Sequence, residues 1–142
     1  MTDSPSITII MPAFNEQKNI ELSISNSLQA IDDFALDGEL ICVNDGSSDE
    51  TLKIIKKSRE IDKRIKVISH PSSRGFGVSF WDGVDLAKNE IVVVMPGDNE
   101  NDPWEILRYI DLLKHVDIVI PFVFNAAVRP RYRVLVSSLY RF

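Results

Sequence analysis

The sequence predicts an α/β fold: a mainly parallel sheet with helices on both of its faces. Two observations carry this. Short, β-branched apolar runs recur along the chain, and each ends in a Pro, a His-Pro or an Asn-Asp-Gly turn. Runs that are apolar throughout, without alternation, suit strands covered on both faces, which is the condition of a parallel sheet. Between the runs lie segments whose apolar residues recur at three and four positions, the period of a helix with one buried side.

Five strands are predicted. Ile7 to Met11 ends at Pro12, and Leu40 to Val43 ends at Asn44-Asp45-Gly46. Ile65 to Ile68 ends at His70-Pro71, Ile91 to Met95 at Pro96-Gly97, and a weaker run, Val116 to Ile120, at Pro121. The first helix carries Ile20, Ile24, Leu28 and Ile31, with Asn15 as its N-cap. Ser47 followed by Glu50 reads as a capping box opening a second helix with Leu52, Ile55 and Ile61. A third is lined by Phe76, Phe80, Val84 and Ala87, with Phe80 and Trp81 packing it onto the sheet. Asp102, Pro103 and Glu105 supply an N-cap, a first-position proline and a reciprocal acid for a fourth, which runs on through Trp104, Ile106, Leu107, Ile110 and Leu113. Strand and helix alternate, so right-handed crossovers place helices on both faces.

The chain has 142 residues, 44% hydrophobic and 26% charged, which excludes disorder and fits one domain. A single cysteine, Cys42, inside an apolar run excludes a disulfide scaffold and suits a reducing compartment. The apolar runs fall far short of the ~20 residues of a membrane span, and MTDSPS lacks the pattern of a signal peptide. The expected location is therefore cytoplasmic. Net charge is -5, but no acid follows Asp117, whereas Arg129, Arg131, Arg133 and Arg141 do. A mostly acidic chain is a poor partner for nucleic acid, which needs clustered Lys and Arg.

Parallel α/β sheets bind ligands outside the carboxyl ends of their strands. The segments there are Pro12 to Glu16, Asn44 to Asp49, His70 to Gly75 and Pro96 to Glu100, and three of the four carry acids. Asp45 can accept a hydrogen bond from a ring N–H of a nucleobase, or organise its loop through an Asx-turn. Asp49 reads as a first-turn helix acid. Asp98 and Glu100 are close enough to share a hard divalent cation, for which one or two carboxylates completed by substrate phosphates are the usual ligands. Glu16 suits either a helix dipole or a ribose hydroxyl. Arg74, with Gly75 and Gly77, brings a cation and backbone N–H groups that suit a diphosphate. His70 and His115 read as ordinary surface or helix-end residues, and Asp82 and Asp85 as a solvent-facing side of the third helix.

Several classes are excluded by what is missing. There is no G-x-S-x-G elbow and no G-x-x-x-x-G-K-[ST] loop. A phospho-aspartate receiver domain needs an Asp after the third strand and a Lys after the fifth, where His70-Pro71 and Pro121-Phe122 stand. A nucleotidyltransferase, which shares the α/β pattern, normally needs a basic, Gly-rich loop after its first strand; Pro12 to Glu16 is not one, so that class stays a distant third.

Taken in order, MPAFNE (Met11 to Glu16), VNDGSSDET (Val43 to Thr51), RGFGVSFWDGVDLA (Arg74 to Ala87) and VVVMPGDNENDP (Val92 to Pro103) resemble glycosyltransferase family two. Within that family the chain is most similar to the polyprenyl-phosphate mannose and glucose synthases and their relatives. The resemblance implies the Rossmann-like A-type fold of nucleotide-diphospho-sugar transferases and an inverting transfer from a UDP- or GDP-sugar. By similarity, Pro12, Ala13, Phe14, Asn15 and Glu16 would cradle base and ribose. Asp45 would bond the base, Arg74 and Gly75 would lie beside the donor, and Asp98 would bind Mg²⁺ or Mn²⁺ as the last acid of the family's Asp-x-Asp motif. Glu100 is a candidate second ligand, because Pro96 replaces the first acid.

Residues 1–121 are thus expected to form the donor-binding domain. Residues 122–142 resemble the start of an acceptor half, since family catalytic domains extend well past this length. Arg129, Arg131 and Arg133 beside Leu135, Val136, Leu139 and Tyr140 suit a membrane surface or an acceptor phosphate, placing the protein on the cytoplasmic face. The acceptor so implied is a polyprenyl phosphate or a glycan precursor, and no residue stands out as the general base. The rival reading, from a different class, is a non-catalytic nucleotide-sugar-binding module or an inactive fragment.

Overall fold

A computed structural model describes residues 5–120. The elements run β1 (Ser6–Ala13), α1 (Ile20–Asp33), β2 (Asp37–Asn44), α2 (Thr51–Ile61), β3 (Ile65–Ser69), α3 (Phe76–Leu86), β4 (Ile91–Val94) and α4 (Pro103–Leu107), followed by a 3-10 turn at Ile110–Lys114. Contacts divide the chain into a unit ending at Asp111 and one beginning at Leu112, and the sheet belongs to the first. Every strand pairing is parallel, in the order β3-β2-β1-β4. The predicted α/β class with helices on both faces is what forms.

β1 is the axis of the sheet. It pairs with β2 along its whole length and with β4 over Ile7 to Ile10, and seven of its eight residues are buried. Its alternate side chains serve two cores. Ile7, Ile9, Met11 and Ala13 join Leu40, Cys42, Ile65, the apolar stripe of α1 (Ile20, Ile24, Ala30, Ile31) and Ile55 of α2. Ile10 joins Ile41 and Val43 on the opposite face, under Phe80, Val84 and Ala87. α3 comes down close there because Gly83 has no side chain: a Cβ at that position would sit 2.5 Å from Cγ2 of Ile10. The chain steps outward from β1 to β3 through α1 and α2, then crosses back to β4 through α3. Crossovers of one hand travelling in opposite directions must lie on opposite faces. The same reversal makes the gap between β1 and β4 the topological switch point, where such sheets open a ligand crevice.

Five expectations are corrected. Val116 to Ile120 is not a strand; Asp117 interrupts a run too short for periodicity to decide, and Val116, Ile118 and Ile120 are exposed. Asn15 is not the cap of α1, which begins after Asn19; Asn15 instead has a left-handed backbone, φ 57. The Ser47–Glu50 capping box does not form, since α2 starts at Thr51 with no side-chain cap from Glu50. Trp81 does not pack onto the sheet: it is 62% exposed and only edges against Phe80, as Phe76 and Ile61 are also exposed. At α4, Asp102 caps as expected, accepting from the N–H groups of Trp104 and Glu105, but Glu105 pairs with Arg108 and not with the cap. Residues 122–142, with the basic segment, lie outside the described residues.

No helix among the described residues is long and apolar enough to cross a membrane. Cys42 is wholly buried in the middle of β2, and burial pushes its thiol up to about 12. A thiol reagent at neutral pH is therefore expected to leave the native chain unmodified and to titrate one thiol after denaturation. Rapid labelling of the native chain would contradict the burial of Cys42 in the core under α1 and α2.

Candidate functional site

The loop after β1 turns sharply, and three of its consecutive N–H groups have no strand or helix to pair with. The next crossover supplies the acceptors. Asn15 N–H donates to Ser47 Oγ (3.0 Å), Glu16 N–H to Thr51 Oγ1 (2.8 Å) and Gln17 N–H to an Asp49 carboxylate oxygen (3.1 Å). Two bonds return: Ser48 N–H donates to Asn15 Oδ1 (2.9 Å) and Glu50 N–H to Gln17 Oε1 (3.2 Å). Asp49 is therefore a cross-loop acceptor, not only the helix-start acid that its position suggested; it also accepts from Thr51 N–H. Burial works against its ionised form, but the bonds from Thr51 and Gln17 outweigh it and lower its pKa.

The loop after β4 is tied to the same place. Gly97 N–H donates to Pro12 O (2.9 Å), continuing the ladder past the end of β4. Ser23 of α1 donates to Gly97 O (3.0 Å), and Asn26 Nδ2 donates to Asn99 Oδ1 (3.2 Å), with Asn99 left-handed at φ 57. Asp98 accepts from the Glu100 backbone N–H at 3.0 Å, an Asx-turn that shapes the loop carrying the two predicted ligands. Among the described residues no group of three His, Cys, Asp or Glu side chains could cage a metal. The pair fits a hard cation as a partial donor set, which Mg²⁺ normally completes with phosphate oxygens and water.

Asp45 lies directly after β2, and its register neighbour across the sheet is the residue after β3, His70, because Asn44 pairs with Ser69. His70 is buried, a correction of its expected surface position. Its Nδ1 lies 2.7 Å from Asp45 Oδ1 and its Nε2 2.9 Å from Asp82 Oδ2. Asp45 also accepts from Ser73 Oγ (2.7 Å), Arg74 N–H (2.8 Å) and Gly75 N–H (2.9 Å). A carboxylate has about four acceptor positions, and all are used. The Asx-turn of this loop is made by Asn44, whose Oδ1 accepts from Ser47 N–H. Burial pushes the Asp45 carboxyl up, but the bonds from His70, Arg74, Ser73 and Gly75 together hold it well below the usual carboxylate range. Gly46 is left-handed, φ 71, and a Cβ there would run into the Ser72–Ser73 peptide. The 71–75 loop thus rests on Gly46 while its amides point at Asp45.

The structure brings Asp45 into direct contact with the backbone of Arg74 and Gly75, and Asp98 into contact with the backbone of Glu100. Pro12 and Ala13 are buried, their carbonyls accepting from Gly97 and Asp45, so they form the floor while Phe14 (50% exposed), Asn15 and half-buried Glu16 form the rim. Glu16 accepts from Asn19 Nδ2. Arg74 reaches Asp82 through Nη1 (3.1 Å), so Asp82 does not simply face solvent, whereas Asp85 does. His70, Asp82, Ser73 and Thr51 are the site residues that sequence reasoning missed; for His70 and Asp45 the available signal was that both follow strands.

A carboxyl held below its ordinary range contributes stability that is complete above its unfolded value, about 4, and is lost as pH falls through the folded value. Asp45→Asn is therefore expected to cost on the order of 2–3 kcal/mol at neutral pH. It should also flatten the loss of stability seen below pH ~4. Urea denaturation of parent and variant from pH 7 to pH 3 checks both; a variant with the parent's stability at pH 7 would contradict the geometry.

Comparison with known proteins gives a single family. The model for "Glycosyl transferase family 2" matches residues 8–140. The undecaprenyl-phosphate 4-deoxy-4-formamido-L-arabinose transferase of Aeromonas hydrophila is 25% identical over 112 residues, 78% of this chain and 34% of the relative. Among solved structures, the mannosyltransferase PcManGT of Pyrobaculum calidifontis, in complex with GDP-Man and Mn²⁺, superposes with a TM-score of 0.59 at 25% identity, covering 68% of this chain and 28% of that one. The glucosyl-3-phosphoglycerate synthase of Mycobacterium tuberculosis, in complex with UDP, does so at 0.58 and 25%, covering 82% and 42%. The chain spans about a third of the length of the curated relatives it matches. The expected A-type nucleotide-sugar transferase fold is the fold of these neighbours, and the chain belongs to glycosyl transferase family 2.

Proposed function

We propose that the chain is the donor-binding half of an inverting glycosyltransferase that moves a sugar from a UDP- or GDP-sugar to an acceptor such as a polyprenyl phosphate or a glycan precursor. The observation that carries this reading is the meeting, at the carboxyl ends of parallel strands, of an exposed aromatic rim, a preorganised carboxylate with a basic loop, and a pair of acids at the switch point. The solved neighbours with GDP-Man and with UDP support the donor class, and the undecaprenyl-phosphate relative supports a lipid-phosphate acceptor. In this reading residues 1–121 bind the donor, and residues 122–142 begin the acceptor and membrane-interface region on the cytoplasmic face.

Each residue's task follows from where it lies. Phe14 offers a ring face to the base, and Glu16 a carboxylate to the ribose. The ring N–H of the base takes the place of the exposed Ser73 hydroxyl at Asp45 Oδ2. The Arg74 guanidinium swings from Asp82 to the diphosphate. Asp98 and Glu100 hold Mg²⁺ or Mn²⁺ together with the phosphates, and such an ion when bound neutralises the leaving diphosphate as a Lewis acid. One feature favours the second reading, a nucleotide-sugar-binding module without transfer: Pro96 stands where the family has its first metal acid, which leaves a short ligand set.

Calorimetric titration of UDP and GDP, then of their sugars, with Mn²⁺ and again with chelator, tests the reading. Metal-dependent micromolar binding of one base is expected. Asp98→Ala should lose at least about tenfold in affinity, ~1.4 kcal/mol, with little change in Tm because Asp98 lies in a loop. Equal binding by parent and Asp98→Ala, or no binding at all, would contradict it. Release of nucleotide on adding a polyprenyl phosphate separates the enzyme from the binding module.

A further inference from the structure

The 71–75 loop has no ladder partner, and every residue in it is exposed. Its shape depends on a closed ring of side-chain bonds. Asp45 holds the backbone N–H groups of Arg74 and Gly75, Arg74 Nη1 holds Asp82, and His70 joins Asp82 back to Asp45. His70 and Asp45 are the buried corners, with 5% and 6% of their side chains exposed against 32% for Asp82 and 53% for Arg74. Both ring nitrogens face carboxylate oxygens. One buried ring thus links the carboxylate that organises the loop to the carboxylate on α3.

We propose that His70 is a positioning residue for the nucleotide site: by bridging Asp45 and Asp82 it sets the shape of the 71–75 loop and so the affinity of the site for a nucleoside diphosphate. The affinity part rests on the donor-binding reading. The loop part does not. His70 stands directly after β3 and Asp82 lies on the second turn of α3, so the bridge fastens the helix to the sheet edge across the loop that joins them. Removing the bridge leaves Asp45 with a free acceptor and Arg74 tied to an acid that nothing else anchors.

The test uses the whole chain with His70→Phe, His70→Gln and Asp82→Asn, and two measurements. Amide hydrogen exchange at Arg74 and Gly75 reads the loop without any ligand, referenced to the core amides of Leu40 to Val43. Titration with UDP and GDP in Mg²⁺ reads the site. His70→Phe is expected to speed exchange at the two loop amides by about tenfold relative to the core and to weaken nucleotide binding by about tenfold. His70→Gln, whose amide can donate to one of the two carboxylates, should recover part of both effects, and Asp82→Asn should fall between His70→Phe and the parent. If His70→Phe does not fold, Asp82→Asn decides the loop claim: faster exchange at Arg74 and Gly75 relative to the core amides sustains it, and parental exchange overturns it. Parental exchange and affinity in His70→Phe, or loop and core amides accelerating equally, would overturn the proposal. A parent that binds neither nucleotide overturns the donor reading and the affinity part with it, while exchange still decides the loop.

Discussion

Three consecutive N–H groups after β1 are left without partners by the end of a strand, and the site exists because side chains from the next crossover take them. The part-buried Glu16 N–H is the donor that would be costly to leave unpaired, and Thr51 takes it, while Ser47 and Asp49 fix the exposed amides on either side. Their spacing, every second residue, lets one short segment face three successive amides of Asn15 to Gln17. With the Gly97 bond to Pro12 and the α1 bonds to Gly97 and Asn99, the loops after β1, β2 and β4 become one rigid rim. The fourth loop is held differently, by the charged ring through Asp45.

This arrangement has a functional logic that follows from preorganisation. A site that must recognise a flexible, highly charged molecule gains affinity when its donors and acceptors are fixed before binding. Asp45 is the clearest case. Its four bonds hold it ionised, and a ligand N–H meets a carboxylate whose desolvation has already been offset by the fold. At the β4 end Asp98 and Glu100 share one turn, and in the proposed reading they take a cation that arrives with its own phosphate ligands.

Much of this was legible in the sequence, and the parts that were not have a common cause. Unalternated apolar runs revealed the four paired strands, and the Asp102-Pro103 start revealed α4, because both signals are local. Ser47, Glu50 and Asn15 were read as caps since short polar residues before a helix usually are; the same chemistry that caps a helix also bonds a neighbouring loop, and only tertiary placement separates the two. His70 looked isolated along the chain. Its partners are brought to it by the β2–β3 register and by the descent of α3 over Gly83, neither of which a linear pattern shows. Val116 to Ile120 failed for the converse reason: an apolar run supplies side chains, but a strand also needs a neighbour for its backbone.

In the proposed reading one preorganised nucleotide site lies at the carboxyl ends of the strands. Amide chemical-shift mapping of the chain with UDP or GDP and Mg²⁺ tests this most directly. Perturbed amides are expected to be confined to residues 14–17, 45–51, 70–77 and 97–101. Perturbations gathered instead at the opposite end of the sheet, around Asp37, Asp62 and Lys88, or no perturbation with either nucleotide, would contradict it.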